Sequence, residues 1–340
     1  MTTWRPVRDL IEDLWEAHEG QWKHCLRCKL SELRLHEDPD RRKRPSMVPL
    51  AGPCRSSLDP LGIPPRSAPL YILYSCPDVQ QERASSLEGS RDATGRTVSS
   101  SHGVVEWSWE AMGNLMPFPL DEIAVGFALG CRPVSFTDPR KLMKAKGENI
   151  KACRARWQTE VLIVDPDLVL ICGRHALACV RPDLGTKHSR YIGEVITFDV
   201  QTPHGPVTYE GFVTVSPEEV AANARDDHYE VHDWNVGPEH SHVDNPVRHW
   251  LWFLLFACWL AEAGRCVTDG ITPPAPWASL TGELATFYRE RTTVASLVER
   301  RSSLFTRAQQ IAEDELAGRG ARRLQTEDIP PEEPEEEPSV

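Results

Sequence analysis

The segment from Gly126 to Val180 limits what this chain can fold into more than any other stretch. An apolar run, Ile123 to Leu129, leads into Cys131-Arg132-Pro133. After a polar stretch comes a helix-forming segment, Ala152 to Leu162, with Cys153 near its start. A second apolar run, Leu168 to Cys172, passes directly into Gly173-Arg174 and another helical segment, His175 to Val180. Short, continuously apolar runs bounded by turn residues read as strands buried on both faces, and their alternation with helices points to parallel pairing. Leu70 to Tyr74 supplies a further buried strand. Glu194 to Val200 and Val207 to Val215 add two more, joined by Thr202-Pro203-His204-Gly205. The expectation is an α/β fold, a three-layer α/β/α sandwich around a mostly parallel central sheet. In such sheets ligands bind beyond the carboxyl ends of the strands. The turns after Tyr74, Leu129, Cys172 and Val215 are therefore expected to converge on one cleft.

Cysteine usage narrows the reading. The chain has ten cysteines, and Cys25 with Cys28 forms a Cys-x-x-Cys pair. No charged-then-apolar leader opens the sequence, so a cytoplasmic location is expected, where thiols stay reduced. A Cys-x-x-Cys pair plus two separate cysteines at strand and helix ends then points to a metal or cluster site before disulfides. Four thiolates suit a cubane iron–sulfur cluster, and a four-cysteine zinc site is the alternative. The other six, at positions 54, 76, 172, 179, 258 and 266, lie mostly in apolar surroundings and read as core residues. Cys76 is the exception, because it follows a strand end.

In chain order the sequence presents Cys25-Leu26-Arg27-Cys28-Lys29-Leu30, Cys131-Arg132-Pro133, Ala152-Cys153-Arg154 and Gly173-Arg174. This succession resembles the iron–sulfur type of the uracil-DNA glycosylase superfamily, over roughly residues 15 to 265. The resemblance implies a uracil-DNA glycosylase-like fold and a 4Fe-4S cluster held by Cys25, Cys28, Cys131 and Cys153. Between Cys131 and Cys153 lie 21 residues, more than the family usually has. A surface loop around Ser135 to Gly147 is expected to absorb the difference.

The catalytic motifs depart from the family. Its first strand ends G-E-A-P-G, whose acid helps a water attack the sugar; here Tyr74-Ser75-Cys76-Pro77-Asp78 puts Ser75 in that place and Asp78 three residues on. Its G-R-P-F aromatic, which stacks on the flipped base, becomes Val98 in Gly95-Arg96-Thr97-Val98. The Asn that reads the pyrimidine edge becomes Phe127, and the His of H-P-S becomes Ser216. Excision needs a flipped nucleotide, a stacking pocket and electrostatic help for the leaving base. Phe127 and Ser216 cannot reproduce the hydrogen bonds that select uracil, and Val98 opens space. The resemblance thus implies a DNA glycosylase for a non-standard, bulky modified pyrimidine, with host repair and defence against modified phage DNA both open. Asp78, Gln81 and Ser216 are the candidate catalytic residues, with Asp78 positioning water or stabilising the developing cation. Ser75, Cys76, Val98 and Phe127 are the candidate base pocket, and Arg96, Arg132 and Arg174 the candidate DNA contacts. Asp78 also has an ordinary role available, capping a helix after Pro77. Two other functions fit the same residues: a catalytically inactive iron–sulfur nucleic-acid-binding module, or a cluster-bearing assembly protein.

Charge bears on the partner. The net charge is −12, and seven acidic residues with no basic ones fall in the Pro-rich tail from Glu327 onward. That composition is typical of disorder. DNA contact would need a local basic face. The candidates are Arg41 to Arg44, Arg140 to Lys146 and Arg154 to Arg156. The His- and Asp-rich insert with His228, His232, His240 and His242 reads as a loop over the cleft, with metal binding the alternative. Trp250 to Ala261, the most apolar run, is too short to span a bilayer and reads as part of a buried helix. The expected organisation is a glycosylase-like domain over 1–265 with insertions at 36–69 and 221–246. A helical extension over 266–320 follows, then an acidic tail over 321–340; extension and tail read as a region for a protein partner.

Overall fold

The computed structural model describes residues 68–76, 105, 108–109, 112–130, 139–202, 205–217, 220, 246–270, 272–273, 275, 277–290, 302–315 and 317–318. At 121, 139–148, 186, 246–248, 268–269 and 288–290 it describes the backbone alone. The chain divides into two compact units, Met1–Pro273 and Pro274–Val340.

The first unit is built on a five-stranded mixed sheet. Its strands are β1 (Leu70–Tyr74), β2 (Ala124–Phe127), β3 (Leu168–Cys172), β4 (Val195–Thr202) and β5 (Gly205–Thr214), in the order β2-β1-β3-β5-β4. β2, β1, β3 and β5 are parallel, and only β4 runs antiparallel to its neighbour. Burial explains the difference in their sequences. Every residue of β1, β2 and β3 is buried, as expected for strands covered on both faces. β4 alternates buried and exposed positions, the pattern of a half-solvated edge. Phe198 lies directly opposite Tyr209, and their rings stack with centroids 5.9 Å apart, fixing the hairpin register.

Helices cover both faces. Tyr71, Leu73, Val169, Ile171 and Val213 share a core with Trp157 and Val161 of α1 (Pro139–Val164) and Ala176 and Leu177 of α2 (Gly173–Val180). On the opposite face Phe212 meets Phe253 and Phe256 of α3 (Pro246–Asp269), at 5.6 and 5.5 Å between centroids. Trp250 donates to the Ser108 hydroxyl and Trp259 to the Leu115 carbonyl, tying α3 to the chain before β2.

Two expectations need correction. The expected loop over Ser135 to Gly147 is helical from Pro139 onward, so the long spacing between Cys131 and Cys153 is taken up by extra turns at the start of α1. Proline at the first helical position loses no intrahelical bond, and the Lys, Leu, Met and Ala that follow are strong helix formers. The helix ends where Asp165 adopts a positive φ of 46° and donates its N–H to the Val161 carbonyl. Likewise α3 outruns the apolar stretch read from sequence: His249–Val267 is long and apolar enough to cross a membrane, but 72% of that window is buried inside the protein. Its charged end is satisfied internally, with Arg265 bridging Glu262 and Glu122 at 2.7 and 2.9 Å.

In the second unit α4 (Ala278–Glu290) begins where the N–H and hydroxyl of Thr281 both donate to the Trp277 carbonyl. A helical stretch over 302–315 is tied to it by the Arg307–Glu283 ion pair.

Candidate functional site at the carboxyl edge of the sheet

Strand register sets the geometry. Tyr74 lies opposite Phe127, Leu73 opposite Ile171 and Cys172 opposite Thr214, so the four parallel strands end nearly level. The chain leaves β1 toward β2 on one side and later enters β3 on the other. The crevice of such a sheet falls at that reversal.

Two pairs of strand exits are joined at this edge. Ala128 donates to the Tyr74 carbonyl at 2.7 Å and Leu129 to that of Ser75 at 2.9 Å, so the exits of β1 and β2 stay paired beyond the strands. On the other side Gly173 takes a φ of +82°, and a Cβ there would lie 2.9 Å from the Cβ of Ser216. Only glycine lets the β3 exit approach the β5 exit this closely while adopting that φ.

Of the expected site residues, Ser75, Cys76, Phe127 and Ser216 are brought to this edge, all of them buried. Phe127 packs on Tyr74, with ring centroids 5.8 Å apart. Arg174 stands exposed at the second position of α2, beside Gly173. Asp78, Gln81, Val98, Arg96 and Arg132 lie outside the described residues, as do Cys25, Cys28, Cys131, the four insert histidines and the acidic tail. By sequence Asp78 follows two residues after Cys76, the last described residue at the β1 exit.

Beneath this edge is a buried polar group that sequence reasoning missed. Tyr71 of β1 donates its hydroxyl to Glu160 Oε2 at 3.1 Å. Arg156 binds the other oxygen of Glu160 and also donates to the Phe127 carbonyl. All three are almost wholly buried. Gly126 makes room: a Cβ there would overlap the Tyr71 hydroxyl. Burial pushes the Glu160 carboxyl up from its ordinary value, with Arg156 and Tyr71 opposing, and pushes the Tyr71 phenol well up. The available signal was an Arg and Glu four apart on a helix, and a tyrosine inside an otherwise apolar strand.

The Arg154–Arg156 run is therefore neither the candidate basic face for DNA nor a merely solvated surface. Arg156 is consumed in the core, and Arg154 donates to the carbonyls of Cys179 (2.9 Å) and Ala178 (3.1 Å), closing the end of α2. Of the Arg140 to Lys146 run only the backbone is described, within α1, and Arg41 to Arg44 lie outside the described residues.

Cys153 is buried in the core cluster that also holds Ala128, Leu129 and Cys179. Cys172, Cys179 and Cys258 are wholly buried, and burial alone pushes the thiols of Cys172 and Cys258 up. Burial, the largest of several influences, pushes that of Cys179 up to about 12. Such thiols are unreactive core residues at neutral pH. Among the described residues no three His, Cys, Asp or Glu side chains gather as a metal site.

No protein-family model matches the chain, and no curated protein matches it.

Proposed function

We propose that the chain is a DNA glycosylase of the uracil-DNA glycosylase-like α/β/α kind, which excises a bulky modified pyrimidine by hydrolysis of its N-glycosidic bond. The observation that carries the reading is the meeting of four strand exits at one sheet edge, with Ser75, Cys76, Phe127, Arg174 and Ser216 among them. These are the positions at which the resembled family places its water-activating, base-reading and base-holding motifs. In this reading Asp78 directs a water at the sugar carbon, with Gln81 beside it. Ser216 donates to the base, and Val98 in place of an aromatic leaves room for a substituent. Arg96, Arg132 and Arg174 hold the strand from which the base is flipped.

The donor set Cys25, Cys28, Cys131 and Cys153 suits a 4Fe-4S cluster, which would join segments far apart in sequence. Its one described member, Cys153, is buried in the core beside the sheet. The cluster's part would be structural, and no catalytic step passes through it.

The test is release of free base and formation of abasic sites by the purified protein. The DNA panel carries uracil, thymine, hydroxymethylated and glucosylated pyrimidines. Release from one bulky pyrimidine, lost in Asp78→Ala, is the expected result. DNA bound without base release from any member would replace this reading with that of an inactive nucleic-acid-binding module.

A further inference from the structure

Arg174 is already a candidate DNA contact; the segment after α2 adds cations that belong to none of the motifs, Lys187 and Arg190 among them. Between Gly173 and Gly193 lie Arg174, Arg181, Lys187 and Arg190 against a single acid, Asp183, in a chain whose net charge is −12. Arg181 is spent locally: it pairs with Asp183 at 2.8 Å and donates to the Thr197 carbonyl at 3.0 Å. The other three are exposed, and among the described residues none of them makes a salt bridge.

Their placement follows from how the chain returns to the sheet edge. α2 starts at the carboxyl end of β3, which puts Arg174 there. The 3-10 segment Gly185–Arg190 packs back on α2, since a Cβ on Gly185 would overlap Ala178. It then reaches the end of β5, where His188 Nε2 lies 3.0 Å from the Thr214 carbonyl. Two residues beyond Tyr191, Gly193 donates to the Val213 carbonyl at 2.7 Å. Lys187 and Arg190 thus flank a residue anchored at the β5 exit, and Arg174 stands at the neighbouring β3 exit, against which Ser216 packs.

Resting on the reading of the chain as a protein that acts on DNA, we propose that Arg174, Lys187 and Arg190 form a contact strip for the sugar-phosphate backbone, alongside the edge where the base would enter. Exposed cations suit phosphate oxygens, contacts to which position a duplex without reading its sequence. They also give an otherwise acidic chain the local field that association with DNA requires. Each phosphate neutralised releases condensed counterions, so the strip has a direct observable: the dependence of affinity on salt.

The experiment is anisotropy titration of the full chain with a short labelled duplex over a range of salt concentrations. It is run for wild type, for Arg174→Gln, Lys187→Gln and Arg190→Gln singly and together, and for Arg307→Gln in the second unit as a charge control. Each strip substitution is expected to lower the slope of log affinity against log salt by about one. The triple variant should lower it by about 2 to 3, and the control should leave it unchanged. A triple variant that keeps the wild-type slope overturns the strip. Base release by wild type, measured on the same DNA, separates the two readings. Release with no slope change in the triple variant removes the strip alone. A strip-dependent slope with no release supports the strip and removes the excision reading. Failure of wild type to bind DNA at all removes both.

Discussion

Arg156 and Glu160 are charged residues in a position where charge is costly, and the cost is met by pairing. Each partner is almost fully excluded from water, so removing one leaves the other uncompensated. Arg156→Met, which strands the buried Glu160 carboxylate, is therefore expected to destabilise the protein by about 3 kcal/mol, the range for breaking one side of a buried pair. Tyr71→Phe removes a single hydrogen bond and should cost about 1 kcal/mol. Replacing Arg156 and Glu160 together by Met should cost less than Arg156→Met alone, because no charge is left stranded. Denaturant melts of the variants check this ordering, and a double replacement worse than the single would refute it. The same burial sets a pH dependence. Glu160 holds its proton more tightly folded than unfolded, so its contribution to stability is full below the ordinary carboxylate range. It is lost as pH rises through the raised folded value. Wild type should therefore lose stability relative to Glu160→Gln between about pH 4 and the folded value above it. Parallel stability-versus-pH curves for the two proteins would show that Glu160 does not titrate in this way. Nothing in the apolar spacing announced this group, because its three members come from two segments 85 or more residues apart.

Among the elements, β1 and β3 were legible to the residue, since a strand buried on both faces writes itself as an uninterrupted apolar run. The first half of α1 was not. Residues 139–148 carry helix formers without a clear apolar stripe, so periodicity gave no signal while propensity and the Pro139 start did. The junction of β3 and α2 depends on one glycine. Gly173→Ala would force a side chain into a positive φ and into Ser216, and should cost about 2 kcal/mol. Because the clash falls on the β5 exit, the same variant should weaken DNA binding beyond its effect on stability. Titrations well below the variant's melting temperature, finding affinity unchanged, would separate Ser216 from the site. Arg154, which looked like a surface cation, closes the other end of α2.

For the whole molecule the cluster is the most direct question. Anaerobically reconstituted protein should carry about four irons per chain, and Cys153→Ser markedly fewer, with a lower melting temperature than the wild-type holoprotein. Metal analysis finding zinc in place of iron would select the other four-thiol site, and neither metal in the wild type would leave Cys153 as a core thiol. The order of strands and helices, the α/β class, the continuously buried strands and the exposed alternation of β4 were all determined by the sequence itself. These are local properties: periodicity, turn chemistry and propensity act between residues close in the chain. Only the tertiary structure decided which cations are free. Arg156 is consumed by Glu160 and the Phe127 carbonyl, and Arg154 by the end of α2, whereas Arg174, Lys187 and Arg190 stay exposed at the sheet edge. A charge's role depends on the partner and the solvent it meets, and those are set by contacts between segments far apart in sequence.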